Sequence, residues 1–146
     1  NHILFIHKGS IKQYIEDKKG KYIIDFFTDG NFCTASNSYI NQIPAQKGFI
    51  CSEETFGVRI SFKEHKKISA AHPIFIKFFN EKIEETVYRM QNRLKSFQST
   101  DAKGRYDILL SEYPDIFARF TMQDVSNYLG IKPETLSRMR KSVRTK

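Results

Sequence analysis

The chain has 146 residues and a mass of 17.1 kDa, enough for one or two small domains with cores of their own. Twenty-four Lys and Arg against sixteen Asp and Glu leave a net charge of +8, which suits a polyanionic partner. Two cysteines, Cys33 and Cys51, fit a reduced compartment better than a disulfide framework, and no apolar run nears the ~20 residues of a membrane span, so a soluble, cytoplasmic protein without a membrane partner is expected.

From the N-terminus, Ile3–His7, Ile11–Glu16, Tyr22–Phe27, Gly48–Cys51 and Gly57–Ile60 are short β-rich runs. Turn formers separate the first three: Lys8-Gly9-Ser10 and Asp17-Lys18-Lys19-Gly20, with Asp29-Gly30-Asn31 following the third. Short strands at this spacing predict an all-β sandwich or barrel. At Ser61 the period changes. Ser61 and Glu64 have the spacing of a capping box and open a short helix that stops before Pro73. Pro73–Ser99 then reads as one long helix, with Phe75, Phe78 and Phe79 placed to anchor its start on the barrel. Ile83, Val87, Met90, Leu94 and Phe97 recur at alternating spacings of four and three, a short heptad seam. Such a seam suits either a helix packed on its own domain or a dimer helix.

Ser99-Thr100-Asp101-Ala102 breaks that helix and caps the next, placing a hinge near Gln98–Asp101. Tyr106, Leu109 and Leu110 form the inward face of a helix ending at Tyr113-Pro114, and Ile116–Phe120 continues the floor of a C-terminal domain. Thr121 with Asp124 starts a further helix, Val125 and Leu129 share one of its faces, and Gly130 suits the left-handed turn that ends it. Pro133 stands in the first turn of a last helix, where no N–H is needed, and Leu136, Met139 and Val143 give that helix one inward stripe. Its outer face keeps Glu134, Ser137, Arg138 and Lys141, with Thr135 and Arg140 on the flanks. From Ile131 onward six Lys and Arg meet one acid, a net of +5 in sixteen residues. Arginine can pair with guanine and a carboxylate can accept from cytosine, so this face suits a DNA major groove. Periodicity and charge leave open the plainer reading, a helical hairpin with a solvated basic tail.

The stretch GIKPETLSRMRK resembles the recognition-helix signature of the Crp–Fnr family of bacterial regulators, in the compact form that ends soon after that helix. FIHKGSIKQYIEDKKGKYIIDFFTDGNF is similar to the middle hairpins of the family's jelly-roll sensor domain, and FQSTDAKGRYDILLSEYP again looks like its compact members. The resemblance implies base reading by Glu134, Ser137 and Arg138. It implies phosphate contacts from Thr121, Gln123 and Thr135, with Lys132 and Lys141 as further phosphate partners. Lys132 departs from the pattern, standing at the helix N-cap where the family prefers Ser or Thr. The resemblance to the compact form implies that no β-hairpin wing is expected after Lys146, and family members usually carry more strands before the point where Asn1 stands, so an incomplete N-terminus is expected.

The expected architecture is therefore α+β. Residues 1–72 would form a cyclic-nucleotide-binding-like β-barrel, 73–99 a dimerisation helix carrying Ile83, Val87, Met90, Leu94 and Phe97, and 100–146 a helix-turn-helix domain. The expected partners are double-stranded DNA, a second copy of the chain and, by the resemblance, RNA polymerase. The family's cyclic-nucleotide cassette has a Glu for the ribose and an Arg for the phosphate. Here Ala35 or Ser36 replaces the Glu, and no Arg stands near Pro44 in sequence. Without the Arg clamp the strongest charge-assisted contact is lost, and Lys47 offers a point charge and not a planar fork. These features argue against cyclic AMP as a cofactor. They leave either no effector or an unknown one in a pocket of Asn31, Thr34, Ser36, Gln46 and Lys47, with Ser38 and Gln42 beside them. The two cysteines also argue against an iron–sulfur cluster.

Two other readings fit parts of the sequence. Jelly rolls also host metal enzymes, but His65 and His72 fall on or beyond the helix after the barrel. His2 and His7, five apart, face opposite sides of an unbroken strand, so neither catalysis nor a metal is expected. Alternatively, the C-terminal helices bind protein and not DNA.

Overall fold

The computed structural model describes residues 2–144, and side chains as far as Ser142. The expected place of Val143 in the inward stripe lies outside the described side chains. The chain divides into two compact units, Asn1–Tyr88 and Arg89–Lys146, and the division falls inside the long helix.

Among the described residues the first unit contains six strands: β1 (His2–Lys8), β2 (Ile11–Asp17), β3 (Gly20–Phe27), β4 (Phe32–Cys33), β5 (Lys47–Cys51) and β6 (Phe56–Ser61). They form two antiparallel three-stranded sheets, ordered β4-β1-β6 and β3-β2-β5. Each connection from β1 to β2, β3 to β4 and β5 to β6 crosses from one sheet to the other. Gly9 makes the first crossing at φ +118°, donates its N–H to Asp29 Oδ1 at 2.7 Å, and lies so close to the Thr55 backbone that a Cβ would stand 2.6 Å from it. Only glycine meets both demands. Gly30 turns the second crossing at φ +78° and donates to the Ile6 carbonyl at 2.8 Å. Ile6 and Cys33 from one sheet thereby meet Ile11 and Phe27 from the other in a shared core.

A six-residue helix, α1 (Ser36–Asn41), follows β4; no apolar period announces it, and Ser and Asn are weak helix formers. It is followed in chain order by β5, β6, α2 (Phe62–Ala71) and α3 (Pro73–Ser99). The capping box of α2 is complete: Glu64 N–H donates to Ser61 Oγ at 3.2 Å and Ser61 N–H to Glu64 Oε2 at 2.7 Å. The start of α3 packs on the sandwich through aromatics, with Phe32 at 5.7 Å from Phe78 and 5.1 Å from Phe79, and Phe5 at 6.2 Å from Phe78.

His65 of α2 sits among Phe79 (4.5 Å), Phe75 (5.6 Å) and Tyr39 (5.9 Å), and burial pushes its pKa below the usual 6.5. The unfolded chain therefore takes up this proton first as pH falls. Stability tied to neutral His65 is present above about pH 6.5 and lost as pH drops through the lower folded value. We expect the urea midpoint of the wild type to fall between pH 7 and 5 more than that of His65→Phe. Parallel pH profiles would remove His65 from the account.

The second unit is helical: the end of α3, then α4 (Ala102–Glu112), α5 (Ile116–Arg119), α6 (Met122–Leu129) and α7 (Pro133–Arg144). Asp101 caps α4 by accepting from Gly104 N–H at 2.8 Å. Tyr106, Leu109, Tyr113, Ile116, Phe120, Val125, Tyr128, Leu129 and Leu136 form the buried core, while Leu110 is half-buried.

Candidate nucleic-acid interface and ligand cavity

Helices α6 and α7 are held by a tight turn. Gly130 takes φ +67°, its N–H donates to the Asn127 carbonyl at 3.1 Å, and Ile131 N–H donates to Ser126 at 3.0 Å, ending α6. The Lys132 carbonyl then accepts from Thr135 and Leu136 N–H at 3.0 and 3.2 Å, opening α7 with Lys132 where an N-cap belongs. Leu136 is fully buried and Met139 half-buried, which turns the opposite side of α7 outward. Glu134, Arg138 and Lys141 are exposed and Ser137 is half-exposed; spaced at three and four, they share one face.

Among the phosphate candidates, Lys132, Gln123 and Thr121 are exposed and Thr135 is half-buried. Thr121 is already engaged: its Oγ1 accepts from Asp124 N–H at 3.1 Å and donates its proton to Asp124 Oδ2 at 2.7 Å. The capping box is thus a variant in which the acid holds the hydroxyl. A phosphate contact through that proton would have to break this bond. Arg140, expected on a flank, lies 4.4 Å above the Phe117 ring with Nη1 3.7 Å from the Met122 sulfur, so it packs α7 on the floor beneath.

The end of α3 is clamped to this helix pair. Arg93 stacks on Tyr128 at 4.0 Å, reaches Phe97 at 5.5 Å, and donates Nη2 to the Tyr128 carbonyl at 2.9 Å. Arg105 of α4 lies 4.7 Å above Phe97 and donates to the carbonyls of Leu129 at 3.2 Å and Thr100 at 3.3 Å. Phe97, read from the heptad as a seam residue, therefore also serves this clamp. Ile83, Val87, Met90, Leu94 and Phe97 are 45, 47, 46, 63 and 44% exposed.

In the first unit, a cavity of about 320 Å³ is lined by His2, Leu4, Ile11, Thr34, Ser38, Tyr39, Ala45, Lys47, Phe49 and Arg59 among others. Of the pocket residues expected from sequence, Thr34, Ser38 and Lys47 line it; Asn31, Ser36, Gln42 and Gln46 are not among the lining residues. Asn31 instead accepts from Thr28 N–H at 3.1 Å in the β3–β4 corner, and the Gln42 side chain donates to the Tyr39 carbonyl at the end of α1. His2, Tyr39 and Arg59 were missed. Although no arginine is close to Pro44 in sequence, β6 brings Arg59 into the same cavity as Ala45. The strand alternation of β6 was the available signal, but which sheet it joins was not legible. Cys33 also lines the cavity, its thiol pushed up to about 12 by burial and then by Asp25 and Cys51, so it is an inert apolar filler there. Among the described residues no three His, Cys, Asp or Glu side chains gather as a metal site, and no helix is long and apolar enough to cross a membrane.

The chain thus carries a two-sheet sandwich, a long helix and a closing helix pair with exposed charged residues on α7. No family model and no curated protein matches the chain. Solved structures do. FixK2 from Bradyrhizobium japonicum superposes with a TM-score of 0.76 at 15% identity, covering 99% of this chain and 75% of that one. A CooA mutant from Carboxydothermus hydrogenoformans gives 0.76 at 10%, covering 99% and 67%. The c-di-GMP-responsive global regulator CLP of Xanthomonas campestris gives 0.72 at 12%, covering 99% and 77%. At these identities the likeness establishes the fold: this chain has the α+β fold of the Crp/Fnr regulators.

Proposed function

We propose that this chain is a sequence-specific DNA-binding transcription regulator of the Crp–Fnr type, cytoplasmic and acting as a homodimer. The observation that carries the reading is the outward face of α7, where Glu134, Ser137, Arg138 and Lys141 stand together over a buried Leu136. Glu134, Ser137 and Arg138 read bases; Gln123, Lys132, Thr135 and Lys141 hold phosphates, with Thr121 contributing chiefly as the cap that sets α6. Residues 1–72 act as the effector barrel, 73–99 as the dimer helix and 100–146 as the reading head. RNA polymerase is the further partner this reading implies. The mechanism is orientational: the barrel sets the two long helices, and these set the spacing of two recognition helices on inverted half-sites roughly 10 bp apart.

Selection of bound sequences from a random duplex pool at two salt concentrations tests the reading. An enriched inverted repeat supports it. The alternative, that α6 and α7 bind protein, predicts no enrichment and an affinity for duplex that does not fall steeply with salt, as phosphate neutralisation requires. On the selected site, Arg138→Ala is expected to cost about 1–3 kcal/mol and relax one base position, while Lys141→Ala weakens all sequences about equally. Normal binding by Arg138→Ala would remove it from the base-reading set.

A further inference from the structure

The 320 Å³ cavity has a consistent chemical character. Its wall is apolar, with Leu4, Ile11, Phe49 and the two alanines Ala35 and Ala45. Its ionisable rim is basic: His2, Lys47 and Arg59 line it, and no carboxylate does. Among the described residues neither Lys47 nor Arg59 is in a salt bridge. Two acids act electrostatically on residues of this lining. Glu64 is held in its capping box and feels His2 and Arg59 at longer range, and the buried Asp25 lies beside Cys33.

The hydroxyls sort themselves by what they already do. Thr34 Oγ1 donates its proton to the His2 carbonyl at 2.9 Å, and Ser38 Oγ donates to the Ile43 carbonyl. Both then present only lone pairs, which repel an anion. Tyr39 differs: it is 6% exposed, it lines the cavity, and its hydroxyl has no hydrogen-bond partner among the described residues. A buried hydroxyl without a partner is destabilising.

We propose that this cavity binds a small organic anion with an apolar body, its carboxylate or phosphate held by Arg59, Lys47 and His2 and its body against Leu4, Ile11 and Phe49. The inference deepens the effector role proposed for the barrel and rests on that reading. It gives the site a guanidinium from β6, a source distinct from the cassette arginine that the sequence lacks.

Anilinonaphthalene sulfonate is a suitable probe, since it joins an apolar body to one anionic group and fluoresces on binding. N-phenylnaphthylamine is its uncharged counterpart. Titration of the whole chain with each, without DNA, should show the sulfonate binding more tightly. Arg59→Gln and Lys47→Gln should each weaken the sulfonate by about tenfold, the worth of one charge-assisted hydrogen bond. Binding of the neutral probe and the melting temperature should stay unchanged in both, showing the cavity intact. Benzoate or phenyl phosphate should displace the sulfonate, and whichever competes better identifies the headgroup. Equal binding of the two probes, sulfonate binding untouched by both substitutions, or displacement by neither acid would overturn the inference. Because DNA is absent, a protein that reads an operator but fails here loses only the anion site. One that holds the anion but selects no operator loses only the regulator reading.

Discussion

If α3 pairs two copies of the chain as proposed, replacing Val87 and Leu94 together by aspartate is expected to turn that dimer into a monomer and to lower affinity for an inverted-repeat operator by about 100-fold or more. Both side chains lie on the exposed stripe of α3, at 47 and 63% exposure within the single chain, so neither is spent on packing its own unit. A row of five large apolar residues left this open to water is costly unless something covers it. On the proposed reading a second copy of the same helix would do so with matching spacing. Burying an aliphatic side chain contributes roughly 1.5–3 kcal/mol when complete, and four partly exposed ones are involved across two copies. Placing four unpaired carboxylates in that seam reverses the sign of the contribution. The folded chain should survive, because the changes sit on an exposed face. On DNA, each monomer would then bind one half-site without the effective concentration supplied by its partner. Sedimentation velocity and operator titration check the two halves of the expectation. A variant that stays dimeric would assign the stripe to some other partner.

The parts of this molecule that were legible in its sequence are those whose signals are local. Gly9 and Gly30 sit where backbone conformations demand glycine, Ser61 with Glu64 builds its box within one turn, and Asp101, Thr121 and Gly130 cap or end helices through neighbours at most four residues away. The outward face of α7 was legible for the same reason, since Pro133 and Leu136 fix its phase. What was not legible depends on the third dimension. Arg59 is fourteen residues beyond Ala45 in the chain, and only the pairing of β6 with β1 brings it to the cavity that Ala45 also lines. Asn31 and Gln42 looked like pocket residues because they are polar and nearby, but each side chain closes a local backbone turn. Arg140 counted as surface charge, yet an aromatic ring from α5 makes it a packing residue. Sequence spacing reports what a residue can reach along its own element, not which ring waits across from it.

Removing the Arg93 clamp is expected to have a large effect. Arg93→Ala should destabilise the second unit by about 2–4 kcal/mol, combining a partly desolvated cation–π stack with a charged hydrogen bond to a backbone carbonyl. The stack on Tyr128 is at 4.0 Å and the bond from Nη2 to the Tyr128 carbonyl at 2.9 Å, so one guanidinium ties the end of α3 to the last turn of α6. Arg105 grips the next carbonyl, Leu129, and shares the Phe97 ring. These contacts hold the end of the long helix at a fixed angle to the α6–α7 turn, which an orientational mechanism requires. Arg93→Lys sharpens the test, because it keeps the charge but loses the planar fork that stacks and donates together. Urea unfolding followed by near-ultraviolet dichroism of the second unit's tyrosines should therefore show most of the loss in the lysine variant too. On the proposed mechanism, operator binding should lose its dependence on half-site spacing in both variants, because recognition helices uncoupled from a dimer helix would tolerate a base pair added or removed between half-sites. If Arg93→Lys matches the wild type in both stability and spacing preference, charge alone holds the joint and the stacked geometry does not matter.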